Sequence, residues 1–238
     1  VQIGSALEML LLSIALGYRY ASLRNENERI AAEANLMLER KVAQRTNEVR
    51  SALLQLEEAH ARLHESSRRD GLTGLYNRTW FQEAFDRMLG EGRARGQPVS
   101  LLMVDLDHFK AINDRHGHLT GDQCLRWAAG RIAGAAGGDA LVARFGGEEF
   151  VVALPRTGRK DALALAEGIR RALAAAPCEA NGHSLRISAS IGVHTIQADA
   201  DCDVDAAFEV ADRAMYEAKA GGRNCVRSPG GAALARPQ

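Results

Sequence analysis

Between Leu23 and Leu63 the chain has neither glycine nor proline, and charged residues are dense throughout. Such a stretch offers no natural place to turn, and one long helix is what remains. Leu23, Ile30 and Met37 recur every seven residues. Val42, Thr46, Val49, Leu53, Leu56 and Leu63 then follow a shifted three-four rhythm, with His60 in the remaining seam position. Sustained heptads flanked by charge indicate a coiled coil, and the change of phase near residues 38–42 resembles a stutter. A coiled coil needs a second strand, so the seam predicts a homodimer. The other reading is a single amphipathic helix folded onto a neighbouring domain.

Upstream, residues 3–18 are nearly all apolar, and the sequence opens on Val1 rather than Met. A membrane-spanning helix needs about 20 apolar residues, so this run is expected to be the end of such a helix in a fragment of something longer. A buried or coiled-coil helix start is the alternative. A signal peptide does not fit, because no basic segment precedes the run and no cleavage signature follows it. Arg19 and Arg24 lie just beyond it, which places its C-terminal side in the cytoplasm. Glu8 inside the run requires neighbouring helices to shield it. The expected location is therefore the inner (cytoplasmic) membrane, with the remainder of the chain in the cytoplasm.

Thirty basic and 30 acidic residues cancel, which argues against a surface built to coat nucleic acid. The hydrophobic fraction of 46% is enough for a sizeable core. Cys124, Cys178, Cys202 and Cys225 are scattered without a paired spacing and read as packing thiols of a cytosolic protein rather than a disulfide or zinc framework.

Ser66-Ser67 and Asp70-Gly71 end the long helix. Asn77 can cap a helix from Arg78 whose apolar face carries Phe81, Phe85 and Leu89. Val99 to Val104 is a continuous apolar strand of the kind buried on both faces. A short helix is predicted from Phe109 to Arg115 and a longer one from Gly121 to Ala133. Leu141–Phe145 and Phe150–Leu154 are strands joined by a hairpin at Gly146-Gly147. Residues 159–175 are helical, Ser184–Thr195 is a strand, Asp203–Ala220 a helix and Asn224–Arg227 a last short strand. The order predicts an α+β fold with one mainly antiparallel sheet of five strands covered by helices. Trp80 and Trp127 lie on apolar helical faces and are assigned to the core. Residues 229–238 read as a disordered tail.

The strand from Val99 ends in Asp105-Leu106-Asp107, and the hairpin supplies Glu148-Glu149. Carboxylates at the end of an apolar strand are costly unless charge compensates them. One from each strand can clamp a hard divalent cation, leaving substrate phosphates and water to complete an octahedron. Solvated acidic turns are an equally good account of spacing alone.

Gly146-Gly147-Glu148-Glu149-Phe150 resembles the signature of the GGDEF family of diguanylate cyclases. Asp70-Gly71-Leu72-Thr73-Gly74-Leu75-Tyr76-Asn77-Arg78 resembles the turn that opens that family's domain, and Asp105 through Asp114 its metal-and-nucleotide segment. Gly117-His118 through Gly121-Asp122 is similar to its base-binding turn, and Ala218-Lys219 through Gly222-Arg223-Asn224 to its C-terminal phosphate motif. The resemblance covers about residues 67–228. It implies a palm-like nucleotidyl cyclase domain there, preceded by a signalling coiled coil over 21–66 and the membrane helix over 1–20.

The resemblance further implies a reaction that joins two GTP into cyclic di-GMP, with Mg2+ as cofactor and Mn2+ as a substitute. Asp105, the carbonyl of Leu106 and Glu148 would hold the metal, and Glu149 would stand near the reacting 3′-hydroxyl. Asn113 and Asp122 would read guanine, whose N1–H and amino group suit a carboxylate acceptor as adenine's edge does not. Phe109 and Lys110 would meet phosphate through backbone amides at a helix start. Lys219 and Arg223 would hold the β- and γ-phosphates; Lys110 and Lys219 are two of only four lysines in the chain. Asp107 either orients the metal turn or caps the next helix. His116 and His118 are assigned to packing rather than to a metal. Many members of the family carry an inhibitory Arg-x-x-Asp before the signature; here those positions are Gly137 and Ala140. The rival reading is a GGDEF module that binds GTP or a partner without turnover.

Overall fold

The computed structural model describes residues 16–19, 22–29, 33, 37, 40–42, 44–55 and 68–229. The chain divides into two compact units, Val1–Leu63 and His64–Gln238. The described residues of the first are helical. Exposed pairs such as Arg24–Glu28 (2.9 Å) and Arg45–Glu48 (2.8 Å) run along it, each contributing a few tenths of a kcal/mol. Leu23, Met37, Val42, Val49 and Leu53 are each more than half exposed. Among the described residues, no helix is long and apolar enough to cross a membrane. The expected membrane helix falls mostly on residues 1–15, which lie outside the described residues, as do Ile30, Leu56, His60 and Leu63 of the heptad seam and residues 230–238 of the expected tail.

Among its described residues the second unit has seven strands, β1 (Val99–Leu106), β2 (Leu141–Gly146), β3 (Glu149–Leu154), β4 (Cys178–Ala180), β5 (His183–Leu185), β6 (Ala189–Ile196) and β7 (Val226–Arg227), and five helices, α1 (Arg78–Arg95), α2 (Phe109–His116), α3 (His118–Ala136), α4 (Arg159–Ala174) and α5 (Val204–Ala220). Five strands form one sheet in the order β2-β3-β1-β6-β7, antiparallel except for the parallel pair β6–β7. The fold is α+β with a mainly antiparallel sheet, as the element order predicted.

β1 is buried along its whole length because both faces of the sheet are covered. Leu102, Val104 and Leu106 join the core beneath α3 and α4, whereas Val99, Leu101 and Met103 join the one beneath α1 and α5. The alternation carries Asp105 to the α5 side. Gly192 on β6 lets α5 come close, since a Cβ there would collide with the backbone of Ala211 and Met215. Helix caps follow local chemistry: Asn77 accepts from the Trp80 amide and Asp203 from the Ala206 amide.

Three features differ from the sequence reading. The strand expected over Ser184–Thr195 is two strands, β5 and β6, and β5 pairs with the unforeseen β4. Asn181-Gly182 joins them with both residues at positive φ (48° and 77°), the hairpin geometry that this dipeptide favours. α3 starts at His118, three residues earlier than predicted, directly after Gly117 at φ 80°. Trp80 and Trp127 are half-buried rather than core; Trp80 stacks on Tyr76 at 3.7 Å, and the Arg69 guanidinium also lies over the Tyr76 ring.

Asp70 ties the opening turn to the sheet. Its carboxylate accepts from the Thr73 amide (2.8 Å) and hydroxyl (2.6 Å) and pairs with Arg144 on β2 at 3.3 Å. Burial alone would raise the carboxyl, but the Thr73 hydrogen bonds and the Arg144 guanidinium outweigh it and hold it below the ordinary 3.8. With the folded-state pKa depressed, the stabilisation is complete above the ordinary value and is lost as pH falls through the lower one. Asp70→Asn is expected to cost about 1–2 kcal/mol at neutral pH. Denaturant unfolding at a series of pH values should show the gap to wild type closing in acid; a gap constant with pH would contradict the ion-pair account.

Candidate active site

β1 and the β2–β3 hairpin bring the acidic motifs together. Asp105 lies directly opposite Glu149 in the β1–β3 register, so the two side chains share the α5 face. The Leu106 amide donates to the Glu148 carbonyl at 3.3 Å, which fixes the signature turn against the end of β1. Gly147 takes φ 50° in that turn, and its carbonyl accepts from the Arg144 guanidinium at 2.8 Å.

From α5, Lys219 reaches the corner and pairs with Asp105 at 2.8 Å. Burial raises the Asp105 carboxyl above its ordinary value, with Glu148 and Asp107 adding to the rise, while Lys219 opposes it. Glu149 is raised too, first by burial and then by Asp105, Asp212 and Glu148. Crowded carboxylates of this kind want a cation. Among the described residues no three His, Cys, Asp or Glu side chains converge into a ready-made metal cage. The donor set nevertheless fits a hard divalent ion held by few protein oxygens, and the ammonium of Lys219 already stands as a cation on one of those donors.

Asp107 does not cap α2, and its charge adds to that around Asp105. It accepts from the Ser188 hydroxyl (2.7 Å), the Ser190 hydroxyl (2.6 Å) and the Asn224 amide (2.9 Å), so it anchors the end of β1 to β6 and to the turn after α5. The residue before α2, His108, is left-handed (φ 58°) and makes no side-chain cap. Phe109 is buried and Lys110 exposed at this helix start. Along α2, Asn113 packs over Gly121 on α3; a Cβ at Gly121 would collide with its side-chain oxygen and press on Phe109. Asp122 follows immediately, half-buried, so the two residues assigned to the base share the α2–α3 junction. Gly121→Ala is expected to push Asn113 aside and weaken nucleotide affinity roughly tenfold or more. Titration with a fluorescent guanine nucleotide checks this, and unchanged affinity would separate Asn113 from the base.

The family described as diguanylate cyclase, GGDEF domain matches residues 67–225. The chain belongs to that family. Response regulator PleD of Caulobacter vibrioides is 42% identical over 159 residues, 66% of this chain and 35% of PleD. Diguanylate cyclase DgcP of Pseudomonas aeruginosa is 40% identical over 155 residues, 65% of this chain and 23% of DgcP. The chain thus spans about a third or less of these relatives. The crystal structure of the coiled coil and GGDEF domain of DgcB from Caulobacter crescentus, in complex with c-di-GMP, superposes with a TM-score of 0.67 at 32% identity, over 80% of this chain and 98% of that one.

Within the GGDEF domain the structure assembles Asp105, Glu149 and Lys219 in one corner, with Glu148 in the turn beside them, and Asn113 with Asp122 at the α2–α3 junction. Arg223 is exposed at φ 61° in the turn after α5, four residues beyond Lys219. The two histidines do not pair: the His116 ring lies 4.5 Å from that of His183, and His118 is exposed at the start of α3. Gly137 ends α3, and the neighbouring Asp139 is engaged by Arg156 at 3.0 Å. Cys124 is buried and its thiol is pushed up to about 12, consistent with packing and not with nucleophilic chemistry. Sequence reasoning left Asp107 between orienting the metal turn and capping the next helix, and overlooked the approach of Asp212 to Glu149. The alternating Ser188 and Ser190 were the available signal for the first; nothing local signalled the second.

Proposed function

We propose that this domain condenses two GTP into cyclic di-GMP with release of two pyrophosphates. The observation that carries the reading is the opposition of Asp105 and Glu149 on neighbouring strands beside an intact Gly-Gly-Glu-Glu-Phe turn. Asp105, Glu148 and the Leu106 carbonyl would hold Mg2+, for which Mn2+ substitutes. When bound, the ion supplies charge neutralisation at the α-phosphate and acidifies the attacking hydroxyl. Asn113 and Asp122 orient the guanine, the α2 amides of Phe109 and Lys110 receive phosphate oxygens, and Lys219 and Arg223 grip the β- and γ-phosphates. The 3′-oxygen of one GTP forms a bond to the α-phosphorus of the other, and the bond to the pyrophosphate oxygen breaks. Glu149, opposite Asp105 in the sheet, takes the hydroxyl proton.

Each domain offers one nucleotide site, so the ring closes only between two domains that face each other. The exposed heptad seam supports a homodimer through the coiled coil, which raises the local concentration of the second half-site. The apolar run before it supports attachment to the cytoplasmic membrane with the catalytic domain on the cytoplasmic side. Nucleic acid has no place in this scheme. Incubating the protein with GTP and Mg2+ and identifying the product by mass tests the reading: cyclic di-GMP supports it, and GTP bound without turnover makes the domain a binding module.

A further inference from the structure

We infer that Lys219 is a built-in counter-ion for the metal corner, held on Asp105 until nucleotide phosphates draw it away, so that metal and nucleotide each strengthen the binding of the other. The inference rests on the assignment of Asp105 to the metal and of Lys219 to the phosphates. Its basis is the ion pair itself. The Lys219 ammonium sits 2.8 Å from the Asp105 carboxylate, whose side chain is only 8% exposed, while that of Lys219 is 32% exposed. One partner is fixed in the sheet and the other stands at the rim on a flexible four-carbon stem.

The stem is delivered there by packing rather than by chance. α5 lies close on β6 at Gly192, with Met215 in the core one turn before Lys219. Beyond the helix, Gly222, Arg223 and Asn224 all take positive φ, and the Asn224 amide is bound to Asp107. The end of α5 is therefore tied on both sides of Lys219 to the sheet, to β6 before it and to the end of β1 after it.

A divalent ion arriving alone must displace this ammonium and leave it close to a doubly charged neighbour. GTP removes that conflict, because its β- and γ-phosphates supply the ammonium with a new partner. Each ligand then lowers the cost of the other by the same factor, as linkage requires. Metal by itself should bind weakly, and metal with nucleotide tightly.

The test is Mn2+ affinity of the full chain, read by the electron paramagnetic resonance of free Mn2+, with and without a GTP analogue that cannot react. Lys219→Met is expected to bind Mn2+ alone about tenfold more tightly than wild type. The tightening produced by the analogue should shrink in the same variant. Lys219→Gln should shift in the same direction, and Lys219→Arg, which keeps the charge, should retain weak binding of Mn2+ alone. Thermal unfolding of each variant confirms that folded protein is compared. Equal or weaker Mn2+ affinity in folded Lys219→Met or Lys219→Gln would overturn the inference. Absence of cyclic di-GMP synthesis would overturn the catalytic reading instead, since Mn2+ binding is measured without turnover.

Discussion

Glu148→Gln should lower cyclic di-GMP formation by at least about 10²-fold without loss of thermal stability. An amide keeps the shape of the side chain but removes the anionic oxygen that a hard divalent ion requires, and losing one preorganised electrostatic partner of a developing charge costs on this scale. Stability should hold because Glu148 lies in the half-buried signature turn, outside either core. Its charge also raises the carboxyl groups of both Asp105 and Glu149, so the fold tolerates this acid rather than depending on it. Functional carboxylates often stand in that relation to stability. Product chromatography and a melting curve measure the two quantities. Near-normal turnover would remove Glu148 from the metal, and a collapsed melting temperature would show that the turn is structural.

Beginning the chain at Ser67 should leave a folded domain whose specific activity at dilute concentration falls by about 10²-fold or more, the lower range of the gain that linkage of two sites provides. His64–Gln238 is a compact unit with an apolar core on each side of its sheet, and these should hold without the helix. What disappears is the bare seam of Val42, Val49 and Leu53, where each side chain fully buried in a dimer contributes roughly 1.5–3 kcal/mol. Specific activity should then climb with protein concentration in the short form and stay level in the long one. If the two forms match at equal dilution, the seam is not the pairing device.

The parts of this fold legible in the sequence are those governed by near neighbours. β1 announced itself through unbroken burial on two faces, α1 through Asn77 and the spacing of Phe81, Phe85 and Leu89. The acids of the site were legible because a short motif carries them. Features made by distant partners were not. Asp107 stayed divided between orienting the metal turn and capping α2 because Ser188, Ser190 and Asn224 lie 81 to 117 positions away. Lys219 was read only toward phosphate, since nothing near residue 219 reveals that the end of β1 lies beneath it. The β4–β5 hairpin is a different case. Asn181-Gly182 is a strong local signal, and the apolar pattern from Ser184 onward obscured it by suggesting one strand where Arg186 to Ser188 interrupt two.

The knot at Asp107 also orders events in time. β1 is made early, yet its two sheet neighbours, β3 and β6, follow much later in the chain. The Asn224 amide, separated from Asp107 by 117 positions, is later still. Closing so distant a contact is slow compared with forming local helices, and during translation it must wait until the last turn has left the ribosome. A nascent chain halted before Asn224 can hold the signature hairpin and most of both cores, yet it lacks Val226 of the first core and the Asn224 anchor of Asp107. The corner that holds the acids is therefore completed only after the bulk of this domain has been made.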